Sequence, residues 1–426
     1  MLKGMSVAAT TLGCKVNQAE TDSMLDMLKA AGANIVEFDE KADIYIVNTC
    51  SVTNIADKKS RQMLHRARKM NPDGIVIAAG CYVQSAREIL EQDEAIDIVI
   101  SNNKKKSITE IVNDYINVRN NGKNAPGKDH EAMEYFVDIS RETEYEEMGG
   151  HVPVGHTRAY VKIQDGCNQF CSYCIIPYVR GRIRSRSQEA ILAEVSELAE
   201  AGIKEVVLTG IHISSYGKDK NNEGALIELI EAISKIKGIK RIRLGSLEPG
   251  IITEEFVERI SSNSKVCPHF HLSLQSGCDS VLKRMNRKYT CKQYFEKCDM
   301  LRKAYKSPAL TTDVIVGFPG ETEEEFAETV RYLTELNLYE MHIFKYSPRK
   351  GTVAAAMKEQ VAPEIKNERS DVLLKLAHDN KTAYEAQFEG CELEVLVEEV
   401  VKKNNKTYLR GHTERYMDIL LSLIHI

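Results

Sequence analysis

The chain has 426 residues, of which 43% are hydrophobic and 28% charged, enough for two or three globular domains. No apolar run approaches the length of a membrane span, so we predict no membrane partner. The formal net charge of −5 excludes a strongly basic chain, although a local basic patch would still suit nucleic acid. The first residues predict no signal peptide, and the eleven cysteines are then expected to be reduced, which favours a cytoplasmic location.

Strand and helix patterns alternate over residues 5–100. Helices are predicted at 20–31, 56–70 and 86–91, and short apolar strands at 6–12, 44–48, 75–79 and 96–100. Short apolar strands separated by helices are typical of a parallel sheet that is covered on both faces. We therefore predict an N-terminal α/β domain over 1–116, followed by a polar, irregular linker over 117–152.

One cysteine follows each of three predicted strands in this domain, and we call Cys14, Cys50 and Cys81 the strand-end cysteines. The carboxyl ends of parallel strands share one edge of a sheet, so these residues are expected to meet there. Neighbouring Gly13 and Gly80 would allow the backbone to approach closely. The geometry predicts a three-cysteine cluster site, with three buried structural cysteines as the alternative.

The alternation resumes after Arg158, with strands predicted at 159–164, 205–209, 241–244, 269–274, 310–316 and 340–344. Six βα units are too few for a closed eight-stranded barrel, so we predict a partial (β/α)6 barrel over 153–376. From about residue 377 the pattern indicates a small β-module over 377–426. Its apolar ending leaves too few strands for a closed barrel, so we expect the module to be incomplete.

A second set, the loop cysteines, follows the first predicted barrel strand. Its three members, Cys167, Cys171 and Cys174, lie within a span of eight residues. A structural zinc site is usually closed by four ligands, and no fourth ligand lies nearby in sequence. Three thiolates on a four-iron cluster would leave one iron open, which indicates chemistry rather than a structural role. Three unrelated cysteines or a partial zinc site are the alternatives.

Together these motifs resemble the methylthiotransferases of the radical S-adenosylmethionine (SAM) superfamily. The resemblance covers nearly the whole chain, and its motifs lie at 11–17, 47–53, 79–84, 166–174, 176–182, 274–277 and 314–321. It implies an α/β chain with an N-terminal cluster domain, a radical SAM barrel and a C-terminal TRAM module, an OB-like fold that grips RNA.

Within the family, residues 13–17 and 410–414 most resemble the branch that acts on N6-threonylcarbamoyladenosine. That branch adds a methylthio group to C2 of this adenosine, beside the anticodon of tRNA. Sister branches modify isopentenyladenosine in tRNA or an aspartate of a ribosomal protein. An iron–sulfur protein that only binds RNA or transfers electrons is the non-enzymatic alternative.

The resemblance also implies two [4Fe–4S] clusters. The loop cysteines would hold the cluster that binds SAM, and the strand-end cysteines an auxiliary cluster that carries the sulfur to be donated. One SAM methylates this sulfur, and a second SAM yields the radical that activates C2. The expected partners are a tRNA substrate, an electron donor such as flavodoxin or ferredoxin, and a sulfur source.

Further SAM contacts are expected at the strand ends of the barrel. The superfamily places an aromatic side chain against adenine, and Tyr173 has that position, with an ordinary core role as the alternative. Gly210, Gln275 and Asp313 are further candidates, and each has a structural role as its alternative.

Basic side chains offer two candidate contacts for RNA. In an extended chain the alternating arginines of the segment 180–186 would project on one face, towards phosphates or the SAM carboxylate. A solvated charged edge is the alternative. A basic helix at 56–70 is the second candidate surface, with a merely solvated charged face as its alternative. The alternating arginines of the segment 180–186 are Arg180, Arg182, Arg184 and Arg186.

Overall fold

The computed structural model describes residues 2–121, 133–150, 157–403 and 406–422. The chain divides into two compact units. The first comprises Met1–His151, Gln164–Phe170 and Cys174–Arg186, and the second comprises Val152–Ile163, Cys171–Tyr173 and Ser187–Ile426. Among the described residues, no helix has both the length and the apolar character that crossing a membrane requires.

The first unit is built on a parallel sheet. Its strands are β1 (Ser6–Thr11), β2 (Asn34–Val36), β3 (Ile44–Thr49), β4 (Ile75–Gly80), β5 (Ile98–Ile100) and β6 (Met133–Tyr135). Its first helices are α1 (Lys15–Ala30), α2 (Asn54–Met70), α3 (Cys81–Ser85), α4 (Arg87–Glu91) and α5 (Ile108–Asn120). The strands lie in the order β2-β1-β3-β4-β5-β6, and every neighbouring pair is parallel.

The sheet is covered on both faces, and its central strands are buried along their whole length and mainly apolar. All six residues of β3 are buried, and so are all six of β4. Ile46 belongs to a core cluster with Leu28 and Ile111, whereas Val47 belongs to the opposite cluster with Leu64. The predicted doubly covered parallel sheet is therefore confirmed.

The remaining α/β elements follow along the chain. The strands are β7 (Arg158–Asp165), β8 (Arg184–Ser185), β9 (Glu205–Gly210), β10 (Arg241–Leu244), β11 (His269–His271), β12 (Ala309–Val316) and β13 (Glu340–Lys345). The helices are α6 (Ile176–Val179), α7 (Gln188–Glu200), α8 (Ala225–Ser234), α9 (Glu254–Ser261), α10 (Asp279–Arg284), α11 (Cys291–Ala304), α12 (Glu323–Leu336) and α13 (Pro363–Ala386).

The predicted partial (β/α)6 barrel is confirmed in the second unit. In this unit the strands lie in the orders β10-β9-β7 and β11-β12-β13. Parallel bridges join Ile242 to Val266 and Leu247 to Leu272, so the segment around β11 runs beside β10 and parallel to it. A single large core fills the space between these strands and their helices.

A three-stranded antiparallel module ends the second unit, with strands β14 (Val395–Lys403), β15 (Lys406–Thr413) and β16 (Asp418–Ser422). It is held to the barrel through a buried arginine on β10. Arg243 pairs with Glu205 at 2.7 Å, donates to the Glu414 carbonyl at 2.9 Å, and lies over the ring of Tyr416. The small C-terminal β-module is confirmed, while residues 423–426 of its apolar ending lie outside the described residues.

The segment 117–152, expected to be an irregular linker, is partly regular. Helix α5 continues to Asn120, and β6 adds a parallel strand next to β5. Gly122, one of the residues that suggested a linker, lies outside the described residues. Strand β6 has only three residues, too few for an apolar run that would reveal it in the sequence. Its pairing with β5 defines it as a strand.

Candidate metal centres and cofactor site

The strand-end cysteines lie at one edge of the first unit's sheet. Cys14 caps α1 directly after β1, Cys50 follows β3, and Cys81 begins α3 directly after β4. Gly13 has φ +105°, and a Cβ atom there would lie 2.8 Å from the Cys50 sulfur. The residue before Cys14 must therefore be glycine for the two cysteine segments to approach this closely.

The pKa of the Cys50 thiol depends on its burial and on the two neighbouring cysteines. Burial raises the pKa of the Cys50 thiol to about 11, and the neighbouring Cys81 and Cys14 add to this increase. A metal or cluster must therefore displace protons from this site as it binds. Cys50 and Cys81 are buried, whereas Cys14 is exposed, so the site opens on the Cys14 side.

A fully buried arginine supports these cysteines. Arg180 donates from Nε to the Cys81 sulfur at 3.2 Å and from Nη2 to the Asn17 side chain at 2.5 Å. Its Nη1 atom pairs with Glu20 at 2.5 Å and with Asp165 at 3.1 Å. Although burial disfavours the charge, Asp165, Cys81 and Glu20 hold the pKa of Arg180 well above its usual value. The guanidinium thus stays charged beside the sulfur.

Buried positive charge exceeds buried negative charge around this network. Lys105 also pairs with Glu20, and Arg184 lies 3.8 Å from Asp165. Of the residues named, three are cationic (Arg180, Lys105 and Arg184) and two are carboxylates (Glu20 and Asp165), next to the three thiols. Thiolate-bound iron–sulfur clusters are anionic and are tuned by hydrogen bonds to their sulfurs. The donor set, the arginine and the charge excess all fit a cluster held by three cysteines.

The segment after the loop cysteines is tied to the same sheet edge. Ile175 and Val179 pack against Cys81 in a small apolar cluster. Asn102, which follows β5, donates its side-chain amide to the Val179 carbonyl at 2.7 Å. Packing by aliphatic side chains shields the Cys81 side chain from water.

The loop cysteines belong to a sharply folded segment. Within the first unit, the Cys167 amide donates to the Gly181 carbonyl at 3.0 Å, and the Gln169 amide to the Cys167 sulfur at 3.4 Å. Gly166 has φ +70°, and a Cβ atom there would lie 1.8 Å from the Arg182 carbonyl oxygen. Only glycine fits this crossing.

The middle of the loop, Cys171–Tyr173, belongs to the second unit and is anchored there by backbone groups. The Ser172 amide donates to the Met285 carbonyl at 3.0 Å, and its hydroxyl to the Arg284 carbonyl at 2.8 Å. The Ala354 amide donates to the Ser172 carbonyl at 2.8 Å. These bonds hold the backbone next to Cys171 in place.

Cys171 also receives a hydrogen bond from an arginine whose side chain is only 6% exposed. Arg287 donates from Nη1 to the Cys171 sulfur at 3.1 Å and from Nη2 to Glu248 at 2.8 Å. Burial alone would raise the pKa of Glu248, but hydrogen bonds from His212 and Arg287 hold it below its usual value. Each cysteine set therefore has one cysteine bonded to an arginine that is ion-paired with a carboxylate.

The candidate SAM contacts lie on the second unit. Gly210 ends β9, Asp313 lies on β12, and Tyr173 packs against a cluster that includes Phe318. Gln275 has a left-handed backbone, φ +79°, and its amide donates to the Asp313 carbonyl at 2.9 Å. The structure thus brings Gln275 and Asp313 together.

The expectation that the segment 180–186 is extended, with its four arginines on one face, is wrong. Arg180, Arg184 and Arg186 are buried, and Arg186 pairs with Glu147 at 2.5 Å. Arg182 is exposed and lies over the ring of Phe170. Helix α6 and the left-handed Gly181 turn the segment, so strict alternation is lost before the two residues of β8.

Sequence reasoning missed the residues that support the cysteines. Glu20 and Lys105 lie on predicted helical or loop segments that carry no cluster motif, and Arg287 and Glu248 lie between barrel elements. Arg287 is 116 residues from Cys171 in the chain. A charged residue whose burial depends on such distant partners leaves no local pattern in the sequence.

Two family models match the chain, the radical SAM superfamily over residues 161–333 and the uncharacterized protein family UPF0004 over residues 6–101. The fold is similar to that of TsrM, a radical S-adenosylmethionine methyltransferase from Kitasatospora setae. The TM-score is 0.58 at 15% identity, covering 81% of this chain and 77% of that one. Such low identity concerns the fold alone. The barrel and the three-cysteine loop define a radical SAM enzyme.

Curated relatives narrow this class. A threonylcarbamoyladenosine tRNA methylthiotransferase MtaB from Bacillus subtilis is 39% identical over 97% of this chain and 90% of its own length. A tRNA-2-methylthio-N(6)-dimethylallyladenosine synthase from Thermoanaerobacter pseudethanolicus is 36% identical over 95% and 85%. The chain belongs to the methylthiotransferase family of radical SAM enzymes, which confirms the resemblance. Membership implies SAM and a [4Fe–4S] cluster as cofactors.

Proposed function

We propose that this enzyme adds a methylthio group to C2 of N6-threonylcarbamoyladenosine in tRNA, with SAM as both methyl donor and radical source. The observation that carries the proposal is a second three-cysteine set at a sheet edge of a radical SAM chain. Two relatives named for this activity, from Bacillus subtilis and Aquifex aeolicus, are 39% and 37% identical over 97% of the chain.

In this proposal the loop cysteines hold the SAM-binding cluster, and the strand-end cysteines hold an auxiliary [4Fe–4S] cluster. An arginine–sulfur bond supports each assignment. Arg182 is the one arginine of its segment that we assign to RNA or SAM. The proposed SAM contacts are Tyr173, Gly210 and Gln275.

When bound, the clusters supply the electron for SAM cleavage and the sulfur that is transferred, because C2–H is too strong a bond for acid–base chemistry. The residues of the chain position and shield these groups. Arg287 and Arg180 each direct an N–H group at one cysteine sulfur. Burial of Cys50 and Cys81 excludes water, while the exposed Cys14 side leaves an approach for the adenosine.

The partners follow from the reaction. An electron donor such as flavodoxin or ferredoxin and a sulfur source are required, and we propose that the enzyme works in the cytoplasm with tRNA. Exposed Lys58, Lys59 and Lys69 on α2 support contact with the RNA backbone. By contrast, Arg68 pairs with Asp97 and is not available to RNA.

Isopentenyladenosine in tRNA is the second candidate substrate, since relatives named for dimethylallyladenosine are 36% and 37% identical. Mass spectrometry of tRNA nucleosides from a deletion strain separates the two. Loss of 2-methylthio-N6-threonylcarbamoyladenosine supports the proposal. Loss of only the isopentenyl product would replace it.

Metal analysis tests the two-cluster assignment. After anaerobic reconstitution we expect near eight irons and eight sulfides per chain, and about four in a variant with Cys14, Cys50 and Cys81 all changed to alanine. That variant should still cleave SAM to 5′-deoxyadenosine but transfer no sulfur. About four irons in the unmodified protein would refute the auxiliary site.

A further inference from the structure

Three side chains outside both cysteine sets converge on neighbouring strands of the partial barrel. His271 ends β11, Asp313 lies on β12 and His342 lies on β13. Asp313 is directly opposite His342, and His271 is directly opposite Thr311, two residues before Asp313. The imidazole nitrogens and carboxylate oxygen that they offer all lie within 4.8 Å of one another.

These side chains lie on the face of the strands away from the helices. On β12, Leu310, Val314 and Val316 belong to the apolar core that the helices cover. Successive strand residues point to opposite faces, so Thr311 and Asp313 point to the inner side of the barrel. His271 and Asp313 are half-buried and His342 is exposed, which leaves the group reachable from that side.

The spacing suits ligands of one metal ion. His271 Nε2 and Asp313 Oδ2 are 3.4 Å apart. Two ligand atoms held about 2.1 Å from an ion at an angle of roughly 90–110° are about 3.0–3.4 Å apart. The two imidazole rings are stacked, with centroids 5.9 Å apart and planes inclined by 24°. Since the three ligand atoms all lie within 4.8 Å of one another, small side-chain rotations would bring the third ligand into place.

A neighbouring hydroxyl orients the first histidine. Thr311 Oγ1 lies 3.0 Å from His271 Nδ1, which leaves Nε2 to face Asp313. Metal-bound histidines commonly have such a partner on the nitrogen that does not bind the metal. This contact is independent of the convergence of the three ligands and points in the same direction.

We propose that His271, Asp313 and His342 form a binding site for a divalent first-row metal ion such as Mn²⁺, Fe²⁺ or Zn²⁺. Two imidazoles and one carboxylate on one side of an ion leave open positions for oxygen ligands. The site contains no thiolate, so it is chemically distinct from both cysteine sets. Asp313 then binds the metal instead of contacting SAM directly.

Manganese binding by the full chain tests this site. The clusters are first reconstituted anaerobically so that the cysteines are occupied, and free Mn²⁺ is then followed by electron paramagnetic resonance. We expect one saturable site per chain, at least tenfold weaker in His271→Gln and in His342→Gln. Thr311→Val should weaken binding about tenfold. The control His65→Gln, at an exposed histidine paired with Asp93, should bind like the unmodified protein.

Circular dichroism checks that each variant is folded. Absence of saturable Mn²⁺ binding to the unmodified protein would overturn the proposal, as would equal affinity in the two histidine variants and the unmodified protein. An Asp313→Asn variant that loses SAM binding but keeps its Mn²⁺ affinity would also overturn it, since the carboxylate would then serve SAM. No tRNA is needed, so the outcome is independent of the methylthiolation proposal.

Discussion

Arg180 has no exposed surface and is ion-paired with Glu20 and Asp165. In Arg180→Met the apolar stem is largely retained, but the buried carboxylates lose a partner. We predict that the free energy of unfolding in urea falls by about 3 kcal/mol, the lower part of the range for a broken buried pair, because Lys105 still neutralises Glu20.

The matched control for this change is Arg66→Met. Arg66 pairs with Asp39 at the surface, where the side chains are 51% and 74% exposed. Solvent screens such a pair, so the loss should be at most about 1 kcal/mol. Equal losses in the two variants would show that the buried network contributes no more than a surface pair.

Arg287 provides a residue-scale prediction about the SAM-binding cluster. A positive charge and an N–H···S bond both stabilise the reduced, more negative cluster. Replacement of Arg287 by glutamine removes this charge and this bond at Cys171. We expect Arg287→Gln to lower the midpoint potential, by roughly 60 mV if about 1.4 kcal/mol is lost. A redox titration followed by electron paramagnetic resonance measures it.

The control is Arg302→Gln. The Arg302 guanidinium donates to the carbonyls of Leu336 and Asn337. The midpoint potential of this variant should equal that of the unmodified protein. If Arg287→Gln also left the potential unchanged, the assignment of Cys171 as a cluster ligand beside this arginine would fail.

The sequence identified both cysteine sets but neither arginine's role. Cysteines after three apolar strands are placed by topology alone, because parallel strands share an edge. Arg180 lies 99 residues from Cys81 in the chain, and its neighbours suggested a row of arginines directed at phosphates or the SAM carboxylate. Whether an arginine is buried depends on carboxylates from other elements, and a single sequence does not reveal them.

At the scale of elements, continuous apolar runs made β3 and β4 predictable, whereas β2 and α13 were missed. Strand β2 has only three residues, two of them exposed. Helix α13 has 24 residues but buries only Arg369, Ser370 and Leu373, so it has no apolar stripe to reveal it. Elements that depend on tertiary contacts more than on their own pattern escape prediction from sequence.

Helix α12 begins with a capping box between Thr322 and Glu325, and Arg284 adds two hydrogen bonds to the same carboxylate. The Arg284 bonds, followed by those from Ser280 and Thr322, lower the pKa of Glu325 from 4.5 to about 2. A lowered folded-state pKa stabilises the fold above pH 4.5, and this contribution is lost as the pH falls towards about 2.

We therefore predict that Glu325→Gln reduces the acid sensitivity of the protein. Glutamine keeps a capping side chain but cannot titrate. Thermal unfolding measured between pH 2 and pH 6 should show a shallower decline in this variant than in the unmodified protein. Glu335→Gln, at an exposed carboxylate in the last turn of the same helix, should keep the original slope. Parallel slopes for all three proteins would contradict the prediction.

At the scale of the molecule, the C-terminal module is held to the barrel around one aromatic ring. Tyr416 stacks on His412 with ring centroids 4.4 Å apart, and the guanidinium groups of Arg243 and Arg158 lie 4.8 and 5.2 Å from its ring centre. Tyr416→Ala removes these contacts without leaving a buried charge unpaired, so the barrel itself should stay folded.

We expect Tyr416→Ala to loosen the module selectively, because the barrel core does not include this ring. Limited trypsin digestion should cut the region after α13 several-fold faster, and tRNA affinity should fall. Cleavage of SAM in the absence of tRNA should stay near the original rate, since the proposed cofactor contacts lie on other strands. Tyr408→Ala, on β15 opposite Ser422, is the matched control. A simultaneous loss of SAM cleavage would mean that the module also supports the barrel, and an unchanged tRNA affinity would mean that it does not grip RNA.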